Sequence, residues 1–137
     1  MTRTNYSTGA PWEPIVGYSR VVQVDNAIFV AGTTGIGPDG QVVAPDDAYA
    51  QTLQALHNLE AALNLANANL KDVVRTRMYV TDIRQWEAIG RAHGEFFGQY
   101  RPVTTMVQVA ALIDPAMLVE VEADALLSQG SWRWVEG

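Results

Sequence analysis

The sequence predicts an α+β domain in which two amphipathic helices cover one face of a β-sheet. Short β-rich runs are interspersed with two segments whose apolar residues recur at spacings of three and four. The last β-rich run alternates apolar and acidic residues. With 137 residues, 48% of them hydrophobic, the chain has the usual size of one domain. We expect a single domain over residues 1–137, with an N-terminal extension at 1–14 and a C-terminal tail at 128–137.

The first half of the chain predicts a hairpin followed by a long helix. Residues 20–24 and 28–31 are β-rich and are separated by a turn at 25–27. The glycine-rich segment 32–40 predicts a loop, and residues 41–43 form a candidate third strand. Apolar residues then recur with helical spacing, which predicts one helix over about 46–67.

The second half predicts a strand, a helix and two further strands. Residues 73–81 are rich in β-branched side chains, and Asp82 follows as an expected helix cap. The second helix then carries an apolar stripe that includes His93, and it ends before Pro102. Residues 103–109 and 118–126 complete the predicted sheet.

The alternation in these strands predicts a polar face that the helices do not cover. Four residues of the last strand are expected to meet the helices: Val119, Val121, Ala123 and Ala125. The uncovered face is expected to carry alternate residues of two strands: from 73–81, Arg75, Arg77, Tyr79 and Thr81, and from 118–126, Leu118, Glu120, Glu122, Asp124 and Leu126. The other face of strand 73–81 is expected to carry Val74, Thr76, Met78 and Val80. Either this face is solvated, with cross-strand ion pairs worth ~0.2–1 kcal/mol each, or a second subunit closes it around a polar site. Leaving Met106, Leu118 and Leu126 in water would be unfavourable, which favours the second alternative.

The charge and composition exclude several classes of function. Fifteen acidic and nine basic residues give a net charge of −6, with no basic run, so neither nucleic acids nor anionic membranes are expected as partners. There is no cysteine for a thiolate nucleophile or a Cys-ligated metal. His57 and His93 lack metal-ligand spacing, so no metal is expected, and His93 is interpreted as a core or interface residue. Without a signal peptide or an apolar span, we expect a cytoplasmic protein.

Several segments in order resemble the Rid/YjgF family of imine and enamine deaminases, also called the endoribonuclease L-PSP family. They are residues 17–20 (GYSR), 30–32 (VAG), 74–83 (VRTRMYVTDI), 96–97 (FF), 101–109 (RPVTTMVQV) and 118–123 (LVEVEA). The resemblance implies a chorismate mutase-like, six-stranded mixed sheet with two helices on one face. It also implies a homotrimer with small-molecule sites between subunits, and hydrolysis of an imine or enamine without a cofactor.

The resemblance assigns roles to particular residues. It implies that Glu120 activates a water molecule and that the backbone around Thr105 and Met106 binds polar groups of the substrate. The residues expected to shape the pocket are Tyr18, Gly32, Thr104 and Met106. Family members with imine deaminase activity carry an arginine that grips the substrate carboxylate, and Thr104 stands at that position here. A neutral hydroxyl cannot replace a guanidinium fork.

Other arginines could compensate for Thr104. Arg77 is the first candidate to bind a substrate anion, and Arg91, in the second helix, is the second. The alternative for Arg77 is a structural ion pair with Glu122 or Asp124 across the sheet. Arg101 is interpreted as a surface or interface residue. Three tryptophans are expected to pack the termini onto a neighbouring subunit: Trp12, Trp132 and Trp134.

Three functions follow from these observations. The first is a hydrolase or tautomerase acting on a small imine, enamine or related metabolite in an intersubunit cleft. The alternative is a non-catalytic trimer of the same fold that binds and senses a small molecule. The third, RNA cleavage or translation inhibition, is implied for some relatives and disfavoured by the acidic charge.

Overall fold

One six-stranded mixed sheet with two helices on one face forms the framework of the molecule, as predicted. The computed structural model describes residues 1–127 and 130–137. The strands are β1 (Arg3–Tyr6), β2 (Val21–Val24), β3 (Ala27–Thr34), β4 (Val73–Val80), β5 (Val103–Gln108) and β6 (Val119–Leu126). They lie in the order β1-β2-β3-β6-β4-β5, and β4 and β5 are parallel while the other neighbours are antiparallel.

The two helices begin and end at residues suited to those positions. Helix α1 (Ala48–Leu65) starts at Asp47, whose carboxylate accepts a hydrogen bond from the backbone N–H of Ala50. It ends before Asn67, which has a left-handed φ of 57°. Helix α2 (Trp86–Phe97) follows a 3₁₀ turn, Ile83–Gln85. Asp82 caps this turn rather than α2 itself, because its carboxylate accepts from the N–H of Arg84.

The core lies between the helices and the sheet. The four β6 residues predicted to meet the helices are buried, which confirms that assignment. Leu56, Leu59 and Leu63 of α1 are fully buried and belong to the same hydrophobic cluster. Burying one such side chain contributes about 1.5–3 kcal/mol. The face of the sheet opposite the helices is called the open face below.

The sixth strand comes from the N-terminal segment, which was predicted to be an extension. Residues 3–6 pair antiparallel with residues 21–24 and form one edge of the sheet. The prediction of a third strand at 41–43 was wrong, because this region contributes a single bridge between Ile36 and Val42. The sequence of β1 is short and polar, so it lacks the alternation that marks a half-buried strand.

A bulge in β4 changes which residues face the core. Val73 pairs with Ala125, and Arg75 then pairs with Asp124, so Val73 is buried and Val74 is not. From Thr76 onward the predicted faces are confirmed. Met106 and Leu118 pack against the core instead of lying exposed on the open face. That face does expose apolar side chains from three strands: Phe29, Val103, Val107 and Leu126.

Gln51 of α1 fixes the approach to β6. Its side chain is fully buried, and its amide Nε2 donates to the carbonyls of Ala44 (3.2 Å) and Ala116 (2.7 Å). Its Oε1 accepts from the N–H of Leu118 at 2.8 Å. One side chain therefore satisfies three backbone groups beside the strand that carries Glu120.

Replacing Gln51 by Met should lower the free energy of unfolding by about 2–4 kcal/mol, because it leaves these backbone groups without their partner. Urea denaturation measures the loss. Gln54→Met is the matched control. The Gln54 amide donates to the Asn58 side chain, so a loss of about 1 kcal/mol or less is expected. Equal losses for the two variants would contradict the role of Gln51.

Candidate functional site

A carboxylate and a glycine meet on the open face where β3 and β6 pair. The register of these strands shifts between Val30 and Thr33, and Glu120 of β6 pairs with Thr34. A Cβ atom on Gly32 would lie 2.7 Å from Oε2 of Glu120 and 2.8 Å from its Cδ. Glycine at position 32 therefore leaves the space that the Glu120 carboxylate occupies.

The surroundings of Glu120 favour proton transfer. Its side chain is half-buried, and burial is the main reason that its pKa is raised above the usual value for glutamate. The charge of Glu122 raises this pKa further, while Arg20 acts in the opposite direction. A carboxyl group whose pKa is moved toward neutrality exchanges protons more readily near pH 7.

Arg20 supports this part of the site. Its Nη1 donates to the carbonyl of Gly32 at 2.8 Å and to Oγ1 of Thr33 at 3.3 Å. Its Nη2 lies 3.5 Å from the Tyr18 hydroxyl, and its guanidinium is 5.6 Å from the centre of that ring. Arg20 thus holds the Gly32 backbone and links it to Tyr18. Arg20 lies in segment 17–20, one of those that resemble the family, but it was not predicted as a site residue.

A row of ion pairs continues across the open face from Glu120. Nη1 of Arg77 lies 3.6 Å from Oε1 of Glu122 and 3.5 Å from Oδ2 of Asp124. The structure therefore places Arg77 as the cross-strand partner that was the alternative to a ligand role. Its side chain is 42% exposed, so this pairing contributes about 0–1 kcal/mol. Arg75 pairs with Asp124 at 3.8 Å.

Tyr79 belongs to the same row and was not predicted as a site residue. Its hydroxyl donates to Oε1 of Glu122 at 2.6 Å, and this hydrogen bond is the main cause of its raised pKa. The signal in the sequence was its position two residues after Arg77, which puts both side chains on one face of β4. Tyr79 also pairs in register with Glu120.

An open groove of about 940 Å³ lies on the same face beside the N-terminal loop. Its lining includes Phe29, Glu122 and Asp124 of the sheet and several residues between 7 and 19. Glu13 is buried at the start of a short π-helix, Glu13–Gly17, and its Oε2 accepts from the Thr8 N–H and hydroxyl and from the Ala10 N–H. Burial would raise the Glu13 pKa, but hydrogen bonds, from Thr8 foremost, outweigh burial and lower it.

The three residues predicted on β5 do not share one face. Thr105 is in register with Arg77 on the open face. Thr104 and Met106 are in register with Thr76 and Met78, whose side chains point toward the helices. Within one chain, the structure therefore does not bring Thr104 or Met106 to Glu120.

Arg91 lies in the helix layer rather than on the open face. Its guanidinium is 4.3 Å from the centre of the Tyr49 ring of α1. The Tyr49 hydroxyl donates to the carboxylate of Glu95, and this bond raises the pKa of Tyr49. Arg91 therefore joins the two helices, and it is not brought to Glu120 within one chain.

The C-terminal tail contacts the segment that precedes β5. The guanidinium of Arg101 stacks 4.7 Å from the ring centre of Trp134, which meets the Trp132 ring edge-on. Both tryptophans stay more than half exposed, as does Trp12. Residues 128 and 129 of the predicted tail lie outside the described residues. Packing of these tryptophans on a neighbouring subunit stays a prediction.

His93 is a hydrogen-bonded residue of the α2–β4 interface, which confirms its interpretation. Its Nε2 lies 2.9 Å from Oγ1 of Thr76, and its ring packs on Phe97. Burial lowers its pKa from the usual 6.5 to about 4, so the imidazole is neutral at pH 7. His57, by contrast, is exposed and meets the edge of the Phe96 ring.

His93 should make the protein less stable as the pH falls from 6.5 to 4. In this range the unfolded chain binds a proton at His93 and the folded chain does not, so the loss should reach about 1–3 kcal/mol after solvent screening. His93→Phe should remove this part of the acid-side loss in urea titrations between pH 4 and 8. His57→Phe is the control and should keep it. If the free energy of unfolding of the wild type and of His93→Phe changed with pH in the same way, the prediction would be contradicted.

Neither a metal cluster nor a membrane-spanning helix is found among the described residues. In the ranges 1–127 and 130–137, no group of three His, Cys, Asp or Glu side chains could hold a metal ion. Over the same ranges, no helix is long and apolar enough to cross a membrane.

The molecule is an α+β domain in which helices cover one face of the sheet. On the open face, the Glu120 carboxylate packs against Gly32 and marks the candidate site. The family model described as Endoribonuclease L-PSP matches residues 8–127, and the chain belongs to this family. The resemblance to Rid/YjgF proteins is thereby confirmed. A solved Mycobacterium tuberculosis member of the YjgF/YER057c/UK114 family is 52% identical with a TM-score of 0.83, over 92% of this chain and 100% of that one.

Two curated relatives extend the comparison. An uncharacterized protein of Streptomyces coelicolor is 37% identical over 118 residues, which cover 86% of this chain and 87% of the relative. The 3-aminoacrylate deaminase RutC of Acinetobacter baylyi is 31% identical over 112 residues, which cover 82% of this chain and 88% of the relative.

Proposed function

We propose that this protein is a cofactor-independent deaminase that hydrolyses a small imine or enamine on its open face. The observation that carries the proposal is the half-buried Glu120 carboxylate, seated against Gly32 and with a raised pKa. The similarity to a relative named as a 3-aminoacrylate deaminase supports the class of substrate, because 3-aminoacrylate is an enamine. Glu120 is the catalytic residue of this proposal, and Tyr18 and Gly32 line the site beside it.

The proposed chemistry needs one positioned water and one proton relay. Water adds to the carbon of the protonated C=N bond, the π electrons move to nitrogen, and Glu120 takes the water proton. Glu120 then returns this proton to nitrogen. The C–N bond breaks with its electron pair leaving on ammonia, and the hydroxyl group becomes a carbonyl by giving its proton to Glu120, from which the proton passes to ammonia. For an enamine, protonated Glu120 first delivers a proton to carbon and so forms the iminium ion.

We also propose that three copies of the chain close the site. The apolar side chains exposed on the open face, among them Phe29 and Val107, favour an interface there. A trimer could bring Thr104, Thr105 or Met106 of one subunit to Glu120 of the next. Sedimentation velocity tests this proposal: a trimer at micromolar concentration is expected, and a monomer at all concentrations would overturn it.

The decay of a reactive imine tests the proposed activity. 2-Aminoacrylate and 2-iminobutyrate are generated in situ by a pyridoxal-phosphate lyase, and 3-aminoacrylate is included as a third substrate. The rate of loss of at least one of them should rise in proportion to protein concentration. Decay unchanged by the protein for all three would overturn the proposal, and saturable thermal stabilisation by the matching keto acids without turnover would support the binding alternative.

RNA cleavage, the activity in the family model's description, has less support from this chain. The net charge of −6 opposes phosphate binding. On the open face, Arg75 and Arg77 pair with carboxylates and Arg20 binds the Gly32 carbonyl. Tight, strongly salt-dependent binding of single-stranded RNA would reverse this preference.

A further inference from the structure

A second cavity, called the edge cavity below, lies where the parallel strands β4 and β5 begin at the edge of the sheet. Its volume is about 230 Å³, and its apolar lining includes Val73 and Val103, the first residues of these strands. Two basic and two aromatic side chains also line it: Lys71, Arg101, Tyr100 and Trp132. None of its lining residues belongs to the groove on the open face, so the two cavities are separate.

The C-terminal tail forms one wall of the edge cavity. Trp132 belongs to this tail, whereas the match to the family model ends at residue 127. The ring of Trp132 meets the Trp134 ring edge-on, and the Trp134 ring lies 4.7 Å from the guanidinium of Arg101. These contacts connect the tail with the segment before β5. The edge cavity is therefore built partly from a segment that the family pattern does not include.

The two basic side chains of the edge cavity have no carboxylate partner within residues 1–127 and 130–137. Over these ranges each ion pair involves some other arginine. Asp72, next to Lys71, is buried, and its Oδ2 accepts from the N–H of Asn69. Arg101 meets Trp134 through the face of its guanidinium, and its N–H donors lie around the edge. In a chain of net charge −6, these two cations at one cavity favour an anionic ligand.

The rest of the lining indicates which kind of anion fits. A carboxylate matches the fork of N–H groups on Arg101, and the Lys71 ammonium offers further donors. The rings of Tyr100 and Trp132, with the valines beside them, supply apolar surface that an inorganic anion would leave unused. Drug-sized ligands occupy pockets of about 300–1,000 Å³. The smaller edge cavity therefore fits a single aromatic ring that bears a carboxylate.

We infer that the edge cavity is a binding site for a small aromatic carboxylate, with Lys71 and Arg101 at the charged end of the ligand and Tyr100 and Trp132 against its ring. The inference goes beyond the proposed deaminase function and does not depend on it, because none of these four residues takes part in the chemistry proposed at Glu120.

Titration of benzoate into ¹⁵N-labelled full-length protein tests the inference. The indole N–H signals of the four tryptophans, assigned by single substitutions, report where the ligand binds. Benzoate should shift the Trp132 signal with a Kd of about 1 mM, a usual affinity for so small a ligand, and leave the Trp86 signal in place. Benzamide keeps the ring without the charge, and acetate keeps the charge without the ring. Each should bind at least about threefold more weakly than benzoate.

Substitutions at the edge cavity separate specific binding from a general effect of charge. Lys71→Gln and Arg101→Gln remove the two cations at exposed positions, and each should weaken benzoate binding by about threefold or more. Trp132→Leu should weaken it to a similar extent through loss of the ring contact. Arg84→Gln is the matched control: it removes an exposed arginine that pairs with Asp82 and should keep the affinity of the wild type.

Three outcomes would overturn the inference. The first is a Trp132 signal that stays in place at tenfold the expected Kd of benzoate. The second is an affinity for benzoate that is unchanged in Lys71→Gln or Arg101→Gln, or that benzamide equals in the wild type. The third is a Trp132 signal that moves with protein concentration and not with benzoate, which would show that the tail packs on a neighbouring subunit instead.

Discussion

Replacing Glu120 by Gln should lower the rate of imine hydrolysis at least about 100-fold, because positioned acid–base catalysis contributes about 10²–10⁴-fold. Glutamine has nearly the same shape, so it still fits against Gly32, but it can neither take the proton from water nor return it. The measurement is the single-turnover decay of the imine that the wild type consumes.

Stability should separate this effect from a folding defect. Burial and Glu122 raise the pKa of Glu120, so its charge is unfavourable in the folded state, and neutralising it should leave the melting temperature unchanged or higher. Glu87→Gln, at an exposed position in the first turn of α2, removes the same charge away from the site and should keep full activity. An active Glu120→Gln would remove the proton relay from the proposal.

The same raised pKa predicts the acid side of the activity profile. With an imine substrate, Glu120 must be ionised to take a proton from water, so the rate of imine hydrolysis should fall as the pH drops through the pKa of Glu120. That fall should lie above pH 4.5, the usual glutamate value, because burial shifts this pKa upward. Stopped-flow decay rates, corrected for decay without protein, measure the profile. An acid limb below pH 4.5 would contradict the assignment.

Most of the fold could be predicted because periodicity reports burial directly. The alternation of Val119 and Val121 with Glu120 and Glu122 fixes which side of β6 meets the helices, and the structure has the same faces. The parity of Arg77 likewise placed it with the acids of β6, where it forms the ion pairs that were the alternative to a ligand role. Local patterns suffice wherever one face of an element is apolar and the other is not.

The remainder depends on contacts that no local pattern encodes. Strand β5 reads VTTMVQ, with apolar and polar residues on both faces, so its orientation follows from pairing with β4 and not from its own sequence. The bulge that buries Val73, and the pairing of β1 with β2, also arise from neighbouring strands. Arg91 was the second candidate to bind a substrate anion, and within one chain the packing of α2 on α1 directs it to Tyr49.

Gly32→Ala is expected to reduce activity by about 100-fold while lowering the free energy of unfolding by less than about 2 kcal/mol. The added methyl group would lie 2.7 Å from Oε2 of Glu120, so the carboxylate must move. The displaced atoms are the end of a flexible side chain, which can turn away at modest cost in stability. A shift of about 1 Å in a catalytic group can cost about 10²-fold in rate.

A glycine in α2 provides the matched control for this substitution. Nothing lies within 4 Å of a Cβ built on Gly94, so Gly94→Ala should stabilise the helix by about 0.5–1 kcal/mol and leave hydrolysis unchanged. Measuring imine decay and urea denaturation on both variants then separates the effect of displacing the Glu120 carboxylate from an effect on stability. Because the methyl group at residue 32 acts through Glu120, adding it to Glu120→Gln should cost little further activity. Full activity of Gly32→Ala would show that hydrolysis does not need the Glu120 carboxylate where the structure places it.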